Sequence, residues 1–173
     1  MATADILVDA YGRIREEVAA VLDGVATETL VWRPDPEANT IAWLIWHLTR
    51  VQDDHLAAAL GREQVWMEQG WVERFGLPFP AEATGYGHSP EEVAQVRVDA
   101  GLLGAYHEAV AGRSVEVLGK LTDGDLERVV DERWDPPVTL AVRLVSVIAD
   151  DLQHVGQAAY VRGLAARAGV EGG

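Results

Sequence analysis

The sequence predicts an all-α fold, a four-helix bundle with a long crossover connection between helices 2 and 3. Three observations predict it. Apolar residues recur at helical spacing along four long stretches. Residues suited to helix ends, such as Ser, Thr, Asn, Pro and Gly, punctuate those stretches. The segment between the second and third stretches, residues 61–88, is far longer than a hairpin loop needs.

The first helix is expected from about Ala4 to Val25. Ile6, Leu7, Ala10, Ile14, Val18, Val21 and Leu22 recur along it, and Gly24 suits its end. The second is expected from about Thr40 to Leu60. Asn39 or Thr40 can cap its free N–H groups, Gly61 can close it, and Pro34 and Pro36 keep the approach extended. The connection that follows holds Trp66, Trp71, Phe75, Phe79 and Tyr86, with a short helix expected near Gln64 to Arg74. Its length allows the second and third helices to run parallel. The third helix starts at Ser89-Pro90-Glu91-Glu92, a capping box with proline at the first helical position. It is expected to continue to about Lys120, weakened by Gly101, Gly104 and Gly112. Thr122 to Asp125 reads as a short capped turn. The fourth helix follows Pro136-Pro137 and is expected from about Thr139 to Ala168. Residues 128–134 are too few and too charged to read as a strand.

The 173 residues are read as one domain, 1–173, able to bury a substantial core. With 14 basic and 28 acidic residues the net charge is −14, which repels nucleic acid and anionic membranes. The N-terminus carries Asp5 and Asp9 and no basic segment before an apolar run, and charges interrupt every apolar stretch before membrane-spanning length. A cytoplasmic protein is expected. There is no cysteine, so a metal would be held by His, Asp or Glu, and thiol chemistry would need a thiol from outside.

Asp150 and His154 stand four residues apart on the fourth helix, one turn apart on one face. That face continues through Val147, Ala158 and Val161, so it points into the core. A buried carboxylate is costly unless paired or metal-bound. The pair fits a metal site, and it also fits an ordinary Asp–His hydrogen bond. His47 lies within the apolar run from Ile41 to Leu48, either as a core histidine or as a third ligand. Two imidazoles and one carboxylate would leave coordination positions open for water or substrate. Zinc comes first for such a set, with nickel or iron as alternatives.

The run from Asn39 to Leu48, followed by Asp53-Asp54-His55, resembles the second helix of DinB-like proteins. The run from Asp150 to Gly163 resembles their fourth. The resemblance covers essentially the whole chain. It implies a four-helix bundle with a long crossover and a metal triad of His47, Asp150 and His154. Many members have His where this chain has Asp150; the mycothiol-dependent maleylpyruvate isomerase branch is similar to it in using a carboxylate. For function, the resemblance implies a divalent-metal-dependent S-transferase or isomerase using a low-molecular-weight thiol such as mycothiol with a small electrophilic substrate. It also implies a homodimer. The alternatives are a non-catalytic metal-binding or stress-response module and a metal-assisted hydrolase.

Helical spacing adds further candidates. Asp54, two turns after His47, could act as general base or hold a ligand. Arg143, two turns before Asp150, could clamp an anionic substrate. Gln157, after His154, could hydrogen-bond a ligand, and Trp43 could wall the pocket. For each, a solvated, surface or packing role is the default reading. His55 falls about 80° around the helix from His47, and with Asp53 reads as structural or surface. His107 sits mid-helix, and His88 in the loop before a helix cap.

Overall fold

Four long helices carry the architecture of the computed structural model, which describes residues 3–170. They are α1 (Thr3–Leu22), α3 (Ile41–Leu60), α7 (Ala100–Leu118) and α9 (Leu140–Arg167). Short helices lie between them: α2 (Thr27–Leu30), α4 (Val65–Glu68), α5 (Trp71–Phe75), α6 (Pro90–Val93) and α8 (Asp123–Leu126). Two short strands, β1 (Val129–Asp131) and β2 (Val138–Thr139), precede α9.

The long helices form a ring in which α1 packs on α7 and α9, and α3 packs on the same two. Contacts along each pair give the directions. Tyr11 donates to the Leu144 carbonyl while Arg162 donates to the Ala20 and Val21 carbonyls, so α1 and α9 are parallel. Arg15 meets Glu108 while Leu22 lies against Gly104, so α1 and α7 are antiparallel. Thr49 pairs with His107 and Gln52 with Ser114, so α3 and α7 are parallel. His154 lies beside His47 and Arg143 beside His55, so α3 and α9 are antiparallel. The result is an up-down-down-up bundle. The parallel α3 and α7 require the long crossover, as its length anticipates.

Local chemistry accounts for the helix ends. Thr40, Asp99 and Thr139 each accept a backbone N–H of the first turn of α3, α7 and α9, and Gly61 closes α3 in the left-handed region. Tyr11, Ile14, Val18, Leu44, Leu48, Leu103, Tyr106, Val110, Leu144, Val147 and Ala158 fill the interior. Val142, Val145 and Leu152 remain exposed on the outer face of α9.

Three local expectations are corrected. The capping box at Ser89 forms, but it opens only the single turn of α6. The chain then leaves helix, and Asp99 starts α7 afresh by accepting from Leu102 N at 2.8 Å. The helix expected over residues 64–74 is divided into α4 and α5 at Gly70, where φ is +68°. Residues 129–131 do form a strand, with Val129 opposite Thr139 and Asp131 opposite Val138. Its charge is tolerated because Arg133 and Arg143 both bind the Asp131 carboxylate. Among the described residues no helix is long and apolar enough to cross a membrane.

Candidate metal centre

The antiparallel packing of α3 and α9 brings His47, Asp150 and His154 together. One donor atom from each lies within 4.8 Å of the other two, and no other such group occurs among the described residues. Nitrogen and oxygen donors grouped in this way are of the kind that hold one divalent ion.

Hydrogen bonds decide which nitrogens are left free for an ion. His47 Nδ1 lies 2.5 Å from the Thr84 carbonyl oxygen, and His154 Nδ1 lies 2.8 Å from that of Asp150. A carbonyl can only accept, so each Nδ1 carries a proton, and in the neutral ring Nε2 is the nitrogen that keeps its lone pair. Metal-binding histidines are oriented in this way. Burial pushes the His47 pKa below the ordinary histidine value, outweighing the Thr84 carbonyl, so the ring is neutral at neutral pH. Trp43 stacks on it with centroids 4.5 Å apart and planes 13° apart.

Asp150 supplies the test of fit. Its Oδ2 is buried and has no hydrogen-bond partner among the described residues. His154 Nδ1 is 3.8 Å away and already engaged by the Asp150 main chain. That distance is too long for a hydrogen bond, so the side-chain Asp–His hydrogen bond that the spacing also allowed is not formed. An unsatisfied buried carboxylate oxygen beside two imidazoles whose Nδ1 positions are already engaged fits a cation.

A cleft of about 400 Å³ opens at this point, with His47 and Asp150 on its wall. Asp54 lines it too, with Oδ1 accepting from Gln64 at 2.8 Å. Trp43 is buried behind His47 rather than on the cleft. Arg143 lies beyond the cleft in an adjoining depression, also about 400 Å³, which shares Asp54 and His55 with the first. There it donates to Asp131 at 3.0 Å and lies 3.4 Å from His55 Nδ1. Gln157 is exposed and lines a separate depression with Glu37, Asn39 and Tyr160, away from the cleft. His55, read as structural or surface, instead lines the cleft, because Arg143 and the β1–β2 loop build a second wall beside α3. Asp53 is structural, accepting from Val65 N, Trp66 N and the Tyr106 hydroxyl. His107 is buried against Thr49, and His88 accepts from Trp43 Nε1 at 3.2 Å.

Fold, triad and cleft together can be set against known proteins. The sequence model named Mycothiol-S-transferase matches residues 6–166. The chain belongs to the mycothiol-S-transferase family. It is thereby a member of the DinB-like four-helix-bundle superfamily. A crystal structure of a conserved protein from Enterococcus faecalis is 33% identical, covers 94% of this chain and 96% of its own, and superposes with a TM-score of 0.87. No curated protein matches the chain.

In this mycothiol-S-transferase family member, sequence reasoning missed Thr84, Gly85, Tyr86 and Trp134. Tyr86 and Trp134 line the cleft while 93% and 64% exposed, from the crossover and from the β1–β2 loop. The available signal was Gly85-Tyr86-Gly87, an aromatic residue between two glycines, both of which take positive φ.

Proposed function

We propose that this chain is a divalent-metal-dependent enzyme that uses a low-molecular-weight thiol of the mycothiol type for S-transfer or isomerisation. The observation that carries the proposal is the convergence of one donor atom each from His47, Asp150 and His154, with His47 and the unpartnered carboxylate of Asp150 on the wall of an open cleft. Family membership supports it. His47, Asp150 and His154 would hold the ion, zinc first with nickel or iron as alternatives. Bound there, it would supply the charge that keeps a thiol deprotonated near neutral pH.

The chain's own residues account for the rest. Asp54 presents a carboxylate to the cleft while Gln64 fixes its orientation, so it can take the thiol proton. Trp43 holds the His47 ring from behind. Arg143, anchored by Asp131, places a cation at the far end of the adjoining depression, where it can orient an anionic part of the substrate. Tyr86 and Trp134 present aromatic faces at the cleft to the apolar part of an electrophile. With no cysteine in the chain, the sulfur nucleophile comes from the co-substrate.

The test uses cobalt-substituted protein. Mycothiol, added before any electrophile, should change the visible cobalt spectrum, and an aryl halide should then be consumed with thioether formation. Spectra unmoved by mycothiol and by simpler thiols would overturn the proposal.

A further inference from the structure

The two histidines of the triad are oriented by different means. His154 gives its Nδ1 proton to the Asp150 carbonyl one turn back on its own helix. His47 gives its proton to Thr84, 37 residues later in the crossover. The orientation of His47 therefore depends on how the crossover is held against α3.

That hold is built around Arg50, three residues after His47 and fully buried. Arg50 Nε donates to the Ala83 carbonyl at 3.1 Å, next to the peptide that receives His47. Its Nη1 donates to Gln64 Oε1 at 2.9 Å and lies 3.4 Å from the Tyr106 hydroxyl. The guanidinium stands 3.8 Å from the Asp53 carboxylate and 4.9 Å over the Trp66 ring. Trp66 Nε1 in turn donates to the Ala81 carbonyl at 3.0 Å. The carbonyls of Ala81, Ala83 and Thr84 are thus taken by indole, guanidinium and imidazole. Gly85 completes the contact. Its φ is +94°, and a Cβ there would stand 2.9 Å from His47 Nδ1, 3.0 Å from Trp46 and 3.1 Å from Trp43. Only glycine lets the backbone lie this close.

We infer that Arg50 and Gly85 are positioning residues for the metal centre: they hold the Ala83–Thr84 segment so that the Thr84 carbonyl keeps the proton of His47 on Nδ1 and turns Nε2 to the site. A buried guanidinium is costly to desolvate, and the peptide it grips adjoins the one whose carbonyl orients the ligand. The inference deepens the metal-centre reading above and rests on it for the metal arm of its test alone.

The test reads the neutral tautomer of His47 from imidazole 15N shifts in metal-free protein above the histidine titration range. Wild type should show the Nδ1–H form; an Nε2–H form would overturn the inference without involving any metal. Arg50→Met and Gly85→Ala should each shift His47 toward a tautomer mixture and weaken cobalt binding about 10-fold or more, the usual effect of losing an outer hydrogen-bond partner. Leu118→Ala, a core truncation on α7, lowers stability and should leave tautomer and affinity unchanged. A folded Arg50→Met or Gly85→Ala protein with wild-type tautomer and affinity within twofold would refute the positioning role. If neither variant folds, the wild-type tautomer decides. If the tautomer responds and cobalt never binds, the metal reading fails and the positioning of His47 stands.

Discussion

Asp150→Asn separates the triad's role in metal binding from its role in the fold. The amide keeps the shape of the carboxylate and removes its charge. In metal-free protein the effect should be small: the Asp150 side chain is 36% exposed and its buried oxygen has no hydrogen-bond partner among the described residues. A change within about 1 kcal/mol is expected, since a lost contact here is not a lost bond. With metal the difference should be large. A ligand at 100 times its Kd stabilises the folded state by about 2.7 kcal/mol. For a chain of 173 residues, at about 2–4 °C per kcal/mol, that raises Tm by roughly 5–11 °C. Loss of the only anionic ligand should exceed the ~10–100-fold effect of an outer-shell partner. A 100-fold loss leaves metal near its Kd, where the gain is only about 0.4 kcal/mol and the shift roughly 1 °C. Calorimetric melting of both proteins with zinc and with chelator reads the difference. An Asp150→Asn protein that gains as much from zinc as wild type would refute the reasoning.

Three further outcomes follow from buried or displaced groups. Burial, and secondarily Arg15, pushes the His107 pKa down to about 4; the unfolded state, near 6.5, binds the proton first as pH falls. His107 should therefore remove about 3 kcal/mol of stability between pH 6.5 and 4, and urea denaturation of His107→Leu should show a correspondingly flatter pH dependence. Asp53→Ala strips acceptors from Val65 N, Trp66 N and Tyr106 and leaves the Arg50 guanidinium without its carboxylate. It should cost about 3–5 kcal/mol in urea denaturation, and a loss under 1 kcal/mol would contradict the network described. Gln157→Ala should leave cobalt affinity within twofold of wild type, because its side chain faces a different depression; a large loss would place it at the centre after all.

What could be read from the sequence was local. Thr40, Gly61 and Thr139 mark the helix ends where they fall because each cap satisfies backbone groups within a few residues. The four-residue step from Asp150 to His154 and the apolar setting of His47 likewise follow from helix geometry. What escaped was non-local. Nothing near His47 announces that a carbonyl 37 residues away orients it, or that Arg50 secures the carbonyl just before that one. The β1 strand looked too charged because part of what neutralises Asp131, the Arg143 guanidinium that joins Arg133 on it, arrives from α9. Gln157 shows the limit of spacing as a guide. Three residues from His154 is a 60° displacement around the helix, enough to carry the side chain to the outer surface.

The most direct measurement is anomalous diffraction at the zinc edge from crystals grown with one equivalent of zinc. A single peak bonded at about 2.0–2.2 Å to Nε2 of His47, Nε2 of His154 and a carboxylate oxygen of Asp150 is the expected result. Stoichiometric zinc found elsewhere, or bonded through either Nδ1, would contradict the account.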